Sequence, residues 1–184
     1  MHTLAVIVPS LRRDSINRKL AEALAVLGRK LFSFDFVKLE DIPFFNEDLE
    51  KNLPPAVVAM KSVVAASDGV LIVTPEYNRS FPAVLKNALD WGSRPYGKGV
   101  WVGKCVASTG ISPGPVGTAV CQSQLRALLA FLGARQMTSP EACLRYTPNL
   151  FTPDGGLAEE GTRAFLNTFL ESFAAWVETA PGRP

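Results

Sequence analysis

Between positions 10 and 17 the chain gathers Ser10, Arg12, Ser15 and Asn17, two hydroxyls, a guanidinium and a carboxamide. All can donate hydrogen bonds to an anion. If the segment opens a helix, the unpaired N–H groups of the first turn and their partial positive charge act on the same anion. A phosphate monoester suits that chemistry. The plainer alternative is that Ser15 or Asn17 only caps a helix, while Arg12 and Arg13 are solvated loop charges.

A second cluster, Thr74-Pro75-Glu76-Tyr77-Asn78-Arg79-Ser80-Phe81-Pro82, is polar, aromatic and stiffened by two prolines, and it leads into Leu85-Lys86-Asn87-Ala88-Leu89-Asp90-Trp91. Rigid backbone beside an aromatic ring can support a planar ligand. Tyr77 and Asn78 could equally form an exposed turn, and Lys86, Asp90 and Trp91 read more simply as a helix surface with a packing aromatic. A third segment, residues 107–117, carries Ser108, Thr109, Gly110, Gly114 and Gly117. Its glycines would let backbone approach a flat ligand closely, although glycine and proline also simply make loops.

Other chemistries lack parts. The lone histidine, His2, stands at the extreme N-terminus, so Ser-His-Asp catalysis, Cys-His catalysis and a multi-histidine metal site are excluded. Cys105, Cys121 and Cys143 are spaced too widely for a zinc pattern or a CxxC pair and read as reduced, mostly buried thiols. Neither GxGxxG nor GxxxxGK[ST] occurs, which disfavours a dinucleotide fold of that type and a P-loop enzyme.

The elements that must position these clusters follow from periodicity. Residues 4–8 are a continuous β-favouring run, as in a strand buried on both faces, and residues 16–31 repeat apolar side chains every three or four positions. Strands are expected again at 32–39, 69–74, 101–107 and 135–137, and helices at 54–66, 81–91, 116–132 and 157–177. In the last helix Phe165, Phe169, Phe173 and Trp176 recur at helical spacing, which points to core packing. Strict alternation of strand and helix implies an α/β fold, with a five-stranded parallel sheet covered by helices on both faces. Ligands in such sheets sit beyond the carboxyl ends of the strands, where the three clusters fall.

With 184 residues, 47% hydrophobic and 20% charged, the chain reads as one soluble domain over residues 1–184. A net charge of +2 with scattered lysines and arginines argues against nucleic-acid binding. The first apolar stretch lacks the flanks of a signal peptide and no run reaches the roughly 18 residues of a membrane span, so a cytoplasmic protein without membrane contact is expected.

The pattern T-P-E-Y-N-x-S-x-P-x-x-L-K-N-A-x-D-W at 74–91, with S-L-R-x-x-S-x-N at 10–17, resembles the bacterial NAD(P)H-dependent FMN reductases, which include flavin, quinone, azo-dye and chromate reductases. The resemblance runs along nearly the whole chain. It implies a flavodoxin-like three-layer sandwich with strand order 2-1-3-4-5, bound FMN, and NADH or NADPH as electron donor. The first loop, Ser10, Arg12, Ser15, Ile16 and Asn17, would hold the FMN phosphate. Pro75, Glu76, Tyr77 and Asn78, with Ser80 close by, would lie against the isoalloxazine. Ser108, Thr109 and Gly110 would border the ring and the ribityl chain.

Electrons would pass by ping-pong kinetics to a quinone, a free flavin or a metal oxyanion such as chromate, in a homodimer or homotetramer. No catalytic side chain and no metal is implied, because flavin N5 accepts the hydride. Arg79 or Arg126 could hold an anionic acceptor or the NADPH phosphate, or serve at an interface. Two positions depart from the family: Pro9 replaces the usual glycine, and Ser123 stands where chromate- and quinone-reducing relatives have an aromatic, although Arg126 and Glu141 remain. Two other readings stay open: a flavodoxin-like electron carrier that does not react with NAD(P)H, and a non-catalytic nucleotide-binding module.

Overall fold

A computed structural model describes residues 1–180. Its strands are β1 (His2–Ile7), β2 (Phe32–Phe36), β3 (Gly69–Val73), β4 (Cys105–Ser112), β5 (Arg135–Gln136) and β6 (Ala142–Arg145). The helices are α1 (Ile16–Leu27), α2 (Pro55–Ala66), α3 (Ala83–Gly92), α4 (Ala119–Phe131) and α5 (Glu160–Glu178). All strand pairings are parallel, in the order β2-β1-β3-β4-β5, with β6 also paired to β4.

Period-two alternation sorts the strand residues into two cores. Leu4, Val6, Leu71, Val73, Cys105 and Ala107 face α1 and α5, where Leu20, Leu24, Phe169 and Phe173 cover them. Ala5, Ile7, Val70, Ile72 and Val106 face α2, α3 and α4, against Met60, Val64, Leu85, Leu89 and Leu125. Both faces of the middle strands are thus dry, which is why they read as continuous apolar runs. Each fully buried large apolar side chain contributes roughly 1.5–3 kcal/mol. Phe169 and Phe173 are buried as expected and Trp176 is half-buried, but Phe165 is exposed, and Leu166 takes the inward position.

Three strands differ from expectation. β2 stops at Phe36, short of Leu39. β4 begins at Cys105, not at Trp101, and runs on to Ser112. Gly103, at φ +70, breaks the backbone after Trp101, whose indole instead packs on Gly92 and donates to the Leu89 carbonyl at 2.9 Å. The far edge of the sheet is divided: β5 pairs with Cys105 and Val106, while β6 pairs with Thr109 to Ser112. Residues 142–145 lack a strong strand pattern, but a β4 this long leaves carboxyl-terminal peptide groups that need partners. Pro82 and Gly117, the latter at φ +58, likewise delay the starts of α3 and α4 to Ala83 and Ala119.

Among the described residues no helix is long and apolar enough to cross a membrane. His2 sits on β1, partly exposed, 3.8 Å from Asp68.

Candidate functional site

The first loop leaves β1 through a tight turn. The Ser10 N–H donates to the Val8 carbonyl at 2.8 Å, a three-residue turn centred on Pro9. Proline's fixed φ suits that centre, so the residue that departs from the family is compatible with the bend. Ser15 then caps α1, its Oγ accepting from the Arg18 N–H at 3.2 Å. Capping a helix and lining the cleft are therefore not alternatives: the buried serine that starts α1 is also a residue of the cleft wall.

Asn17 is committed elsewhere. Its Nδ2 donates to the Ile111 carbonyl at 2.9 Å and its Oδ1 accepts from the Ile111 N–H at 3.0 Å, so the carboxamide behaves as one more strand residue along β4. It is buried and ties the start of α1 to the carboxyl end of the sheet.

The second wall is a hairpin. Tyr77 and Ser80 exchange both backbone hydrogen bonds at 2.9 Å, and Asn78 and Arg79 at its tip have φ of 50° and 65°. Two consecutive positive φ values define the mirror-image turn that closes two-residue hairpins. Asparagine tolerates this conformation, whereas an arginine there stores on the order of 1 kcal/mol of strain. α4 holds the strained tip: Gln124 donates to the Arg79 carbonyl at 2.9 Å and accepts from the Ser80 hydroxyl at 2.7 Å. Glu76 braces it from behind, with one carboxylate oxygen accepting from the Cys121 N–H at 3.0 Å and the other paired with Arg79 at 3.2 Å. A carboxylate at a helix start gains from the partial positive charge there. Glu76 thus faces α4 with its charge, leaving backbone and Tyr77 toward the cleft.

Ser10, Arg12, Ser15, Ile16, Asn17, Pro75, Glu76 and Tyr77 meet around one cavity of about 130 Å³, closed on its third side by residues 111–113. Asn78 and Ser80 stand on the adjoining hairpin and do not line it. Ser108, Thr109 and Gly110 do not line this cavity: they lie within β4 and not, as expected, in a loop after it. Ser108 donates to Gln122 at 3.1 Å, Thr109 donates to the Ala142 carbonyl at 2.8 Å, and Gly110 packs directly on the Thr74 carbonyl. Ile111, Ser112 and Pro113 line the cavity in their place, because a strand that runs to 112 carries its loop further along the chain than one ending at 107. The signal that finds them is the alternation Cys105, Ala107, Thr109 and Ile111, which carries period two past Ala107.

The rest of the long motif is structural. Lys86 and Asp90 pair with each other at 2.7 Å on the surface of α3. Asn87 accepts from the Phe45 N–H at 2.8 Å and donates to the Pro43 carbonyl at 2.9 Å, which also accepts from the Trp91 indole at 2.8 Å. Arg126 pairs with Glu141 at 2.7 Å within the chain.

Burial, reinforced by the Glu76 carboxylate, pushes the Cys121 thiol up from near 9 to about 12. Its Sγ lies 3.6 Å from the Pro75 carbonyl, behind the hairpin. A thiol whose folded-state value is raised contributes its stability fully below the unfolded value and loses it as pH rises through the folded one. Stability is therefore expected to fall as pH rises from 9 toward 12, with a shallower slope in Cys121→Ser, read from urea midpoints across that range. Equal slopes would remove Cys121 as the cause. Among the described residues no group of three or more His, Cys, Asp or Glu is placed to hold a metal ion.

A parallel sheet ordered β2-β1-β3-β4-β5, with helices on both faces and a phosphate-competent loop after β1, defines a flavodoxin-like α/β protein. Residues 2–147 match the family model described as NADPH-dependent FMN reductase. The chain is 48% identical to a 2-hydroxy-1,4-benzoquinone reductase from Burkholderia sp, over 95% of each chain. It is 43% identical to a quinone reductase from Pseudomonas putida, over 97% of this chain and 96% of that one. Its structure superposes with a TM-score of 0.95 on FerB, a flavoenzyme NAD(P)H:(acceptor) oxidoreductase from Paracoccus denitrificans, at 40% identity over 98% of this chain and 99% of that one.

The chain therefore belongs to the NADPH-dependent FMN reductase family, oxidoreductases with FMN as cofactor and a nicotinamide nucleotide as donor. That membership sets aside the carrier and the non-catalytic module.

Proposed function

We propose that the chain is an NAD(P)H-dependent FMN reductase that passes two electrons to quinones by ping-pong transfer, with free flavins and metal oxyanions such as chromate as further acceptors. The observation that carries this reading is the cleft itself, where a phosphate-competent loop at a helix start faces a rigid hairpin across the carboxyl ends of β1, β3 and β4. The names of the relatives, two of them quinone reductases, support the acceptor.

The donor set fits FMN. Ser10, Arg12, Ser15 and the N–H groups at the start of α1, with Ile16 and Asn17 shaping the floor, would hold the phosphate. A volume of about 130 Å³ suits a phosphate and part of a polyol chain, so the ring system would extend along Pro75, Glu76, Tyr77 and Asn78 toward Ser80. There the hairpin would offer backbone donors and acceptors from a frame that Gln124 and Glu76 keep still. When bound, FMN supplies the hydride acceptor and donor, which explains why the cleft needs no side-chain acid or base. The protein's part is to bind, orient and leave one ring face open to donor and acceptor in turn.

We read residues 1–184 as one domain of this kind, because α5 completes the core on one face of the sheet, and expect it in the cytoplasm. A homodimer or homotetramer is the expected assembly, with Arg79 and Arg126, each paired to a carboxylate within the chain, as the residues to meet an anionic acceptor or a neighbouring subunit.

The test is anaerobic titration of FMN-reconstituted protein with NADH and NADPH, followed by a quinone and by chromate. Bleaching of the flavin band by a nicotinamide donor, recovery on adding quinone, and parallel double-reciprocal lines are expected. Protein that retains no flavin, or a flavin that NAD(P)H leaves oxidised, would sink the proposal. Arg12→Ala should weaken FMN binding about tenfold to a hundredfold, the usual effect of losing a charge-assisted hydrogen bond to phosphate. Fluorescence quenching of FMN measures it, and an unchanged Kd would remove Arg12 from the cradle.

A further inference from the structure

The other side of the first loop encloses a second cavity of about 340 Å³, which shares Ser10 and Arg12 with the flavin cleft and opens between the carboxyl ends of β1 and β2. Arg12, Arg13 and Arg18 line it, Glu40 stands among them, and Val37 and Leu39 form an apolar floor. Arg18 is held in place: its guanidinium lies 4.3 Å over the Phe36 ring and pairs with Glu22 at 2.8 Å. Among the described residues Arg12 and Arg13 have no ion-pair or hydrogen-bond partner. Glu40 is oriented by the Leu39 N–H, which donates to one carboxylate oxygen at 3.0 Å and leaves the other available.

Each part answers one part of a nucleotide. Three guanidiniums against one carboxylate favour an anion, and arginine forks match phosphate oxygens. A carboxylate beyond the second strand of a parallel sheet is suited to accept from ribose hydroxyls, and apolar floor residues suit a purine face. The volume is that of a small-ligand site, too large for inorganic phosphate alone. Its position matters most: the cavity continues from the phosphate end of the flavin cleft through the two residues common to both.

We propose that this cavity binds the adenylate half of a dinucleotide: a phosphate on the arginines, ribose at Glu40 and adenine over Val37 and Leu39. Two dinucleotides carry that group. FAD would place its flavin mononucleotide half in the cleft and turn its adenylate across Arg12, whereas the nicotinamide donor would enter from outside with FMN already bound. Which of them uses the cavity rests on the flavin reading above; adenylate binding does not.

The experiment titrates 5′-AMP and 2′,5′-ADP into apo and FMN-loaded protein by calorimetry, with Arg13→Glu and the double variant Arg13→Ala/Arg18→Ala alongside. Expected is a Kd below about 1 mM for at least one of the two, weakened about tenfold or more in both variants, with FMN affinity changed less than about twofold. Melting curves check that the variants are folded, and the double variant keeps the test decisive should the charge reversal perturb the loop. If FAD is the occupant, FAD binds the natural chain at least about tenfold tighter than FMN, and that advantage disappears in the variants. If the nicotinamide donor is the occupant, KM for NADH or NADPH rises in the variants while kcat holds. Absence of AMP and ADP binding, or binding that both variants leave unchanged, overturns the proposal. Adenylate binding by a chain that takes up no FMN would sustain this proposal and defeat the flavin one.

Discussion

Gly110→Ala is expected to destabilise the protein by about 3 kcal/mol or more and to lower its melting temperature by about 6–12 °C. A Cβ built at this position would stand 1.9 Å from the Thr74 carbonyl oxygen and 2.9 Å from the Thr118 hydroxyl. Neither neighbour can yield easily. Thr74 is the residue through which β3 enters the hairpin, and its N–H donates to the Thr109 carbonyl at 2.9 Å. Making room for one methyl group means parting β3 from β4 where the cleft begins, so Pro75 and Tyr77 would shift with Thr74. FMN binding should weaken together with stability. Gly114→Ala is the control, because its nearest neighbour, the Ser112 hydroxyl, lies at an ordinary 3.5 Å. Thermal melting of the apo-protein and FMN titration of both variants check the prediction, and a Gly110→Ala protein that melts with the natural chain would refute it.

The second large effect belongs to Asn17. Asn17→Ala removes both hydrogen bonds to Ile111 and leaves a buried N–H and a buried carbonyl without partners. Each orphaned group costs about 1–3 kcal/mol, so a total loss of about 2–5 kcal/mol is expected in urea unfolding. Asn17→Asp should recover little, because it retains an acceptor for the Ile111 N–H but sets a carboxylate against the Ile111 carbonyl. The alanine variant would also free the start of α1 from β4, letting the phosphate loop and the Ile111 wall move apart. Stability close to that of the natural chain would mean that water replaces the carboxamide at no cost.

Ser15 and Asn17 were both legible as helix-start residues with hydrogen-bonding side chains, and Ser10, Arg12 and Ser15 do line the cleft with Pro75 and Tyr77. Their division of labour was not legible. Asn17 bonds to a residue 94 positions away, and nothing near it in the chain announces that partner. Thr109 and Ser108 looked like loop donors because a run of small polar residues reads as a break. Within β4 each finds a partner in β6 or α4, and the strand continues.

By itself the sequence determined the alternation of strand and helix, the parallel sheet buried on both faces, the loops that carry the chemistry and the family to which they belong. These follow from local preferences: period two against period 3.6, capping residues, and prolines and glycines that stop elements, all set by residues within a few positions of one another. The tertiary structure alone decided that β4 runs to Ser112, that a divided edge strand completes it, that Ile111 to Pro113 form the third wall, and that Glu76 and Gln124 brace a strained hairpin. Those features are pairings between distant segments. They form because buried backbone and polar groups must find partners, and which partners are in reach is known only once the sheet has assembled.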